Sequence, residues 1–411
     1  RFLIVVPPLA GHVNPTVAVG RELQRRGHEV AWAGHPDLVA PLLPAGCRLW
    51  PAGGDFSAED MAGARARWLN LRAFAALAAL WDEVLIPLGA AMVDGVEAAV
   101  DGYGPDVVVA DQQALAGAVV ARRRGLPWAT SASTFAELTR PYASMPKVEA
   151  WVAERLEAFQ HSYGVGGGDL RFSEHLVISY TVPELAGAVE VPYSPAFVGP
   201  ALGERPPAES FPWEWLDPAR QLVVVSLGTH NQDAGARFYR VLVEAAASVL
   251  RGRLEGRLDL SGRLEERPVL SGRPEERPGL QMVLVARPEM VGPVPEHILV
   301  RPSVPQLALL ARCSAVVTHG GVNTVNECLV EGVPMVLAPI RDDQPIVAGR
   351  VAAVGAGIQV RFGRVQPAEM AVALRSVLND PAYRAAARRI GASFALAGGA
   401  PTAADLLEKL T

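Results

Sequence analysis

The chain has 411 residues, half of them hydrophobic, which is enough to fill two ordinary cores because single cores stop growing near roughly 250 to 300 residues. Its formal net charge of −5 gives no basic surface for nucleic acid or an anionic bilayer, so a small-molecule partner is expected. Three cysteines without metal-ligand spacing predict neither a zinc site nor a disulfide framework, and a reducing cytoplasm fits them.

Short continuous apolar runs alternate with helical patterns along the chain, as in parallel sheets covered on both faces. In the first half the predicted strands are Phe2–Val6, Glu29–Ala33, Asp106–Ala110, Trp128–Ser131 and Leu176–Tyr180. In the second half they are Leu222–Leu227, Gln281–Ala286, Ala315–Thr318, Pro334–Leu337 and Gly357–Val360. The pattern predicts two doubly wound α/β domains, with ligand-binding loops at the carboxyl ends of the strands and a cleft between the domains.

The predicted boundaries follow composition. Residues 192–218 carry seven prolines and read as a linker between a first domain, 1–200, and a second domain, 219–385. A final helix, 386–411, is expected to return toward the first domain. The opening "RFLIVVPPLAGH" predicts a buried strand and no signal peptide. The apolar stretch Ala73–Val93 is interrupted by charges and a proline, which favours a core helix over a membrane span.

Residues 251–279 contain a ten-residue near-duplicate, "LSGRLEERPV" followed by "LSGRPEERPG". A segment so rich in Arg, Glu, Pro and Gly cannot bury enough apolar area to order itself, which predicts a mobile surface loop. In a βαβ unit it would leave the sheet at the amino ends of the strands, away from the ligand-binding edge. We therefore expect no catalytic role for this insert.

"PLAGHVNP" follows the first strand directly. Asn14 suits an N-cap and Pro15 the first helical position, so Gly11 and His12 are expected in the turn at the carboxyl edge of the sheet. An imidazole with a pKa of about 6.5 can accept a proton at neutral pH. The alternative is that His12 caps a helix or packs in the core.

Asp111 ends a later strand of the same sheet and should reach the same edge. A carboxylate that accepts a hydrogen bond from one imidazole nitrogen fixes the tautomer of the ring and stabilises its protonated form. Asp111 could equally cap the next helix. It is therefore the pairing of Asp111 with His12 that predicts a catalytic base.

In the second half "VVVSLGTH" places Ser226, Gly228 and Thr229 at a strand end, where hydroxyls and amides could meet phosphate, although a plain turn of small residues fits too. "THGGVNTVNE" follows a later strand, with a helix expected to start near Asn323 and Thr324. Amides at a helix N-terminus bind anions, and glycines allow a diphosphate to approach closely. Neither a dinucleotide fingerprint nor a Walker loop is present.

The segment "VPQLALLARCSAVVTHGGVNTVNECLVEGVPMVLAPIRDDQP" resembles the nucleotide-sugar signature of inverting GT-B glycosyltransferases, which include plant secondary-metabolite and actinomycete antibiotic enzymes. "GHVNP", "RGHEVAWAG", "PDVVVAD" and "VSLGT" agree in the expected order. The resemblance covers nearly the whole chain, apart from the insert and roughly residues 55–100. It implies the GT-B fold, in which two Rossmann-like domains face a cleft.

The resemblance also implies roles for individual residues. His12 would be the general base and Asp111 its partner. The donor would be held by Ser226, Thr229, Val304, His319, Gly321, Asn323, Thr324, Glu327, Asp343 and Gln344. In this assignment Glu327 binds the ribose, although a Glu near a helix start is also favoured by the helix dipole alone. Plant members of the family begin the signature with Trp, whereas this chain has Ser303 at that position. Stacking on the nucleotide base must then be weaker here or come from other residues, so the resemblance does not fix the preferred base.

Acceptor binding is expected in the first domain, where five aromatic side chains could line an apolar pocket, although core packing explains each equally well. They are Trp68, Phe74, Trp81, Phe135 and Tyr142. No metal or other cofactor is expected, because His319, hydroxyls and helix amides can neutralise a diphosphate leaving group. Asp342 and Asp343 are adjacent, so their side chains should diverge.

The sequence thus predicts a metal-independent inverting glycosyltransferase that moves a deoxysugar, from dTDP, onto a hydrophobic natural-product acceptor. It would act in the cytoplasm as a monomer or homodimer, without a membrane span or a nucleic-acid partner. The alternatives are a nucleotide-sugar epimerase, which usually carries extra carboxylates, and a non-catalytic nucleotide-sugar-binding accessory protein. A pure binder would have no use for the base that His12 and Asp111 would form.

Overall fold

The structure, a computed structural model, divides into two compact units. The first contains Arg1–Pro206 together with Phe394–Thr411, and the second contains Pro207–Ser393. The structure describes residues 1–53, 56–57, 59, 61, 63, 67, 71, 73–189, 191, 194–203, 210–228, 235–251, 256–258, 264–266 and 279–411. The division falls inside the linker predicted over 192–218, and the C-terminal segment groups with the first unit from Phe394 onward.

The first unit is built on a seven-stranded sheet in which every neighbouring pair is parallel. Its strands are β1 Phe2–Val5, β2 Val30–Gly34, β3 Arg48–Pro51, β4 Val107–Asp111, β5 Trp128–Ala132, β6 Leu176–Ser179 and β7 Ala196–Phe197. Their order is β3-β2-β1-β4-β5-β6-β7. The order reverses direction between β1 and β4, and such switch points are where doubly wound sheets bind ligands at their carboxyl edge.

The described helices of this unit cover both faces of the sheet. They are α1 Ala10–Arg25, α2 Pro36–Val39, α3 Ala73–Ala79, α4 Ile86–Tyr103, α5 Leu115–Arg124, α6 Pro146–Ser162 and α7 Pro183–Ala186. A π-helical turn, Leu80–Leu85, joins α3 to α4, and 3-10 turns occupy Ala40–Leu42 and Ala136–Thr139. Successive β1 side chains face opposite layers: Ile4 packs with α1, whereas Val5 packs with α4 and α5.

The second unit contains a six-stranded parallel sheet. Its strands are β8 Gln221–Ser226, β11 Leu280–Val285, β12 Ile298–Arg301, β13 Ala315–Thr318, β14 Met335–Leu337 and β15 Gly357–Gln359, in the order β12-β11-β8-β13-β14-β15. Helices α8 Ala236–Arg251, α9 Pro288–Val291, α10 Gln306–Leu310, α11 Val322–Val330, α12 Gln344–Ala353 and α13 Pro367–Asn379 belong to it. The switch point of this sheet lies between β8 and β13.

Two further helices, α14 Pro381–Ala397 and α15 Ala400–Leu407, complete the chain with a 3-10 turn, Glu408–Leu410. α15 packs on α1, with Ala403, Ala404 and Leu407 buried in the core of the first unit. Arg26, at the end of α1, donates hydrogen bonds to Asp405 and Glu408. These contacts hold the C-terminal segment on the first unit.

Three strands of the two parallel sheets were not predicted, and all of them lie at the edges of these sheets. β3 and β7 end the first sheet and β12 ends the second. β3 is only half covered and includes Pro51, and β7 falls inside the predicted linker. Edge strands are covered on fewer sides, so they lack the continuous apolar runs by which buried parallel strands are found in a sequence.

The insert is partly ordered. β9 Gly256–Leu258 and β10 Leu264–Glu266 form an antiparallel pair, so the prediction of a loop without regular structure is wrong for these residues. Gly279, the last residue of the insert, accepts a hydrogen bond from the amide of Gln221, the first residue of β8. The insert therefore rejoins the sheet at its amino edge.

Two helical stretches among the described residues, Phe74–Tyr103 and Pro381–Leu410, are long and apolar enough to cross a membrane by length and composition. Both contribute buried side chains to cores: Leu88, Met92 and Val96 come from the first, and Ile390 and Leu407 from the second. The first stretch includes most of the apolar segment for which a core helix was predicted.

Candidate active site

His12 lies in the first turn of α1, at the carboxyl edge of the first sheet. The helix begins at Ala10, so the prediction that Asn14 caps it and Pro15 opens it is wrong. The amides of His12 and Val13 both donate to the carbonyl of Leu9, which closes the first helical turn before the proline is reached. The early start still leaves His12 close to the end of β1.

Asp111 is the last residue of β4, the strand across the switch point from β1. Its Oδ1 lies 2.9 Å from Nδ1 of His12, and its side chain has no exposed surface. The same oxygen accepts a hydrogen bond from the amide of Gln113 at 2.9 Å. The cap of α5 is Ala114, so the alternative in which Asp111 caps that helix is wrong. The structure brings together the pair that the sequence predicted.

Ser133 is a third member of this cluster that the sequence analysis did not single out. Its Oγ lies 2.7 Å from the same Nδ1 of His12. It follows β5, whose carboxyl end lies beside that of β4. The sequence offered one signal for Ser133, namely its position directly after a buried strand of this sheet. That signal is weak, because serines are common in such turns.

A buried hydroxyl pair lies next to this cluster. Ser131, which is the register partner of Asp111 in β5, contacts the hydroxyl of Tyr180 at 3.0 Å. Burial raises the pKa of Tyr180, and the nearby negative charge of Asp111 acts in the same direction. The phenol therefore stays neutral over the physiological range.

In the second unit Ser226 ends β8, and its register partner Thr318 ends β13. His319 follows Thr318, and its ring lies between two glycines. A Cβ added at Gly228 would lie 2.8 Å from Cε1 of the His319 ring, and a Cβ added at Gly321 would lie 2.7 Å from its Nε2. Only glycine fits at both positions with the ring where it is, so the imidazole is held at the switch point of this sheet.

The helix after this turn begins at Val322 with Gly321 at its N-cap, one residue before the predicted start. Gly320 has φ +90°, and its amide donates to the hydroxyl of Thr318 at 3.3 Å. Asn323 and Thr324 therefore fall in the first turn, where backbone amides lack intrahelical acceptors. This end of α11 has the features of an anion-binding site.

Glu327 is fully buried in α11. Gln306, at the start of α10, donates from Nε2 to Oε2 of Glu327 at 2.6 Å and to the hydroxyl of Thr324 at 3.4 Å. Gln306 was not singled out from the sequence, although it lies inside the quoted signature. Val304, two residues earlier, is half-buried. The amide of Gln306 therefore links two of the predicted donor-binding residues.

Asp343 directly precedes α12, and Gln344 is its first residue. The side-chain oxygen of Gln344 accepts hydrogen bonds from the amides of Ile340 and Arg341, at 2.9 and 3.2 Å. Its amide nitrogen is thus the group that could donate to a sugar. Within the described part of the chain, no cluster of three or more His, Cys, Asp or Glu side chains has metal-binding geometry.

The predicted acceptor-binding aromatics that the structure describes differ in exposure and in the groups they contact. Trp81 and Phe135 are 4% and 1% exposed and belong to packed interior, so core packing accounts for them. Phe74 is 47% exposed and meets the ring of Trp151 edge-on. Tyr142 lines a cavity of approximately 1220 Å³ that also reaches Trp128. Trp68 and the donor-binding candidate Thr229 lie outside the described residues.

Comparisons with known proteins agree with this architecture. Residues 282–410 match the family model described as erythromycin biosynthesis protein CIII-like, C-terminal domain. The 4′-demethylrebeccamycin synthase of Lentzea aerocolonigenes is 25% identical, over 100% of this chain and 99% of the relative. The demethyllactenocin mycarosyltransferase of Streptomyces fradiae is 28% identical, over 98% of this chain and 85% of the relative.

Solved structures show the same fold over the whole chain. The glycosyltransferase of kitacinnamycin superposes with a TM-score of 0.72 at 26% identity, covering 100% of this chain and 98% of that one. The glycosyltransferase VinC, in complex with dTDP, also gives a TM-score of 0.72, at 22% identity, covering 100% and 99%.

The chain is thus a glycosyltransferase with the GT-B fold, and it is similar over nearly its whole length to glycosyltransferases of the antibiotic and natural-product type. The fold and enzyme class expected from the sequence resemblance are thereby confirmed.

Proposed function

We propose that the chain is an inverting, metal-independent glycosyltransferase. It transfers a sugar, in our proposal a deoxysugar, from a dTDP-sugar to a hydrophobic natural-product acceptor in secondary metabolism. The observation that carries this proposal is the 2.9 Å contact between Nδ1 of His12 and the buried carboxylate of Asp111, at the ligand-binding edge of the first sheet.

The pair has the chemistry of a general base. Because Asp111 engages Nδ1, the ring uses Nε2 to take the proton from the nucleophilic atom of the acceptor. That atom then attacks the anomeric carbon of the donor while the bond from this carbon to the diphosphate oxygen breaks. The bonding electrons leave with the diphosphate, and attack from the opposite face inverts the anomeric configuration. Asp111 stabilises the imidazolium that forms.

The second unit offers groups that can hold the leaving diphosphate. In this proposal His319, the hydroxyl of Ser226 and the backbone amides at the start of α11 take up its charge. Glu327 holds the ribose, with Gln306 keeping the carboxylate in place. Asp343 and the amide nitrogen of Gln344 contact the sugar. These groups can neutralise a diphosphate through hydrogen bonds alone, so the proposed reaction requires no metal.

The preference for dTDP is supported by the VinC structure, which contains dTDP, and by the relation to antibiotic glycosyltransferases. Ser303 stands where plant relatives of this signature carry tryptophan. The nucleotide base therefore lacks that stacking platform here, and its recognition depends on other groups. A thermal-shift comparison of TDP with UDP at equal concentration tests the preference directly, because the ligand with the lower Kd for the folded protein stabilises it more.

The test of the catalytic assignment is turnover by the wild type, His12→Ala and Asp111→Asn, with TDP affinity measured for each. Losing a general base lowers rates by about 10²- to 10⁴-fold. We expect a loss of this size in His12→Ala with unchanged TDP binding, and a smaller or equal loss in Asp111→Asn. Wild-type turnover by His12→Ala would refute the assignment of His12 as the base.

A further inference from the structure

Two oxygen atoms compete for one nitrogen of His12. Asp111 Oδ1 lies 2.9 Å from Nδ1, and Ser133 Oγ lies 2.7 Å from it. A neutral imidazole nitrogen carries either one hydrogen or one lone pair. In one arrangement Nδ1 carries a hydrogen, and both oxygens accept a hydrogen bond from it. In the other arrangement Nδ1 carries a lone pair, which accepts a hydrogen bond from the hydroxyl of Ser133 and also faces the oxygen of Asp111. The two arrangements differ in which nitrogen of the ring is left to act as a base.

The charge on Asp111 decides between these arrangements. Its carboxylate is fully buried, and an ionised carboxylate accepts hydrogen bonds but cannot donate them. A lone pair on Nδ1 at 2.9 Å from such an oxygen would be repelled by it in a region with little water to screen the charge. The hydrogen therefore belongs on Nδ1, and Ser133 Oγ takes the position of a second acceptor. One N–H shared between two acceptors is a common arrangement in proteins.

We propose that Ser133 is a positioning residue, whose hydroxyl oxygen holds the Nδ1–H of His12 together with Asp111 and so keeps Nε2 as the proton-accepting nitrogen. In its catalytic consequence this inference rests on the proposed function of His12. Two anchors, one at the end of β4 and one directly after β5, restrict rotation of the ring more than one anchor would. The serine hydrogen then points away from the ring.

Ser133 should also affect the basicity of the ring. Hydrogen bonds from a charged donor are roughly twice as strong as those between neutral groups. The oxygen of Ser133 therefore stabilises the protonated ring more than the neutral one and raises the affinity of His12 for a proton. Had the serine donated to Nδ1 instead, it would stabilise only the neutral ring and lower that affinity. The two arrangements thus predict opposite effects when the hydroxyl is removed.

The other groups on these strands do not reverse this sign. Asp111 from β4 is the charged group placed against the ring. Tyr180, behind Ser131, is titratable, but burial keeps its phenol neutral. Removing the hydroxyl of Ser133 changes neither of these groups directly. A change in the titration of His12 therefore reports on the hydrogen bond that Ser133 accepts from the ring.

The first measurement is ¹⁵N NMR of the histidine rings in the unliganded protein, with His12→Ala assigning the signal among the eight histidines. We expect hydrogen on Nδ1 in the neutral wild-type ring. Ser133→Ala should lower the proton affinity of His12 about three- to tenfold, since one hydrogen bond of ordinary strength is lost. Ser133→Thr, which keeps the hydroxyl, should titrate as the wild type does. Ser131→Ala is the matched control, because it removes a neighbouring hydroxyl that contacts Tyr180 instead.

A rise in the proton affinity of His12 in Ser133→Ala would show that the serine donates to Nδ1, and no change would show that it does not act on the ring. Either result overturns the proposal. A Ser133→Cys variant preserves the volume at this buried position if the alanine variant is unstable.

The second measurement is the pH profile of kcat/KM. In Ser133→Ala we expect its acid limb to move to lower pH by the amount seen by NMR, with kcat about three- to tenfold lower. An unmoved acid limb would contradict the link between Ser133 and the base. If His12→Ala retains turnover while the NMR titration behaves as expected, the proposed function fails, but Ser133 still positions the ring.

Discussion

The glycines around His319 allow a direct test of where the nucleotide binds. In Gly321→Ala the new methyl carbon would lie 2.7 Å from Nε2 and 2.9 Å from Cε1 of His319. Because such atoms need about 3.5 Å, the ring has to move by about 0.8 Å. Gly321 has φ −64°, a backbone conformation that alanine also adopts. The substitution therefore displaces the imidazole without straining the chain.

The expected loss follows from the bond that this ring would make. A hydrogen bond to a charged group contributes about 1.5–3 kcal/mol, equivalent to roughly 10- to 150-fold in affinity. We expect Gly321→Ala to bind TDP at least about tenfold more weakly than the wild type by isothermal titration calorimetry. Its melting temperature should change little, because the methyl group displaces a side chain and not the backbone.

Two matched variants separate the steric effect from backbone strain. Gly228→Ala approaches the other side of the ring, with its Cβ 2.8 Å from Cε1, and adds the cost of φ +74°. Gly292→Ala has nearly the same φ, +79°, but no described atom within 4 Å of its Cβ, so it measures the conformational cost alone, about 1–3 kcal/mol at its ψ of −165°. Gly292→Ala should lose stability and keep TDP affinity. Affinity within twofold of the wild type in folded Gly321→Ala would refute the placement of His319 at the diphosphate.

Two further predictions concern the rest of the molecule. Arg26→Ala removes ion pairs that hold the C-terminal segment, so hydrogen exchange in α15 should accelerate. Arg25→Ala is the control, because Arg25 pairs locally with Glu22, and it should leave the exchange in α15 unchanged. Equal effects of the two variants would contradict the anchoring role of Arg26. Burial raises the pKa of the Cys313 thiol to about 12 and that of Cys328 well above its usual value, so at pH 8 both remain protonated and unreactive. Iodoacetamide should modify the half-buried Cys47 first, as read out by mass spectrometry. Rapid labelling of Cys313 or Cys328 in the native protein would contradict this.

The central strands of both sheets could be predicted from the sequence because each is a short run of apolar residues covered on both faces. The strands beginning at Phe2 and Ala315 agree with the structure to within a residue. Edge strands such as Arg48–Pro51 could not be found in this way, because only part of their surface is buried. The start of α1 was misplaced because the capping preferences of Asn14 and Pro15 yielded to the backbone bonds made by Leu9.

The sequence by itself determined the type of chemistry at each strand end, since a histidine, a carboxylate and glycines after buried strands must reach the carboxyl edge of a parallel sheet. It could not determine which atoms meet there. Ser133 reaches His12 from 121 positions away, and Gln306 reaches Glu327 from another helix. Such contacts depend on strand order and on side-chain packing across the sheet, which no local pattern of residues encodes.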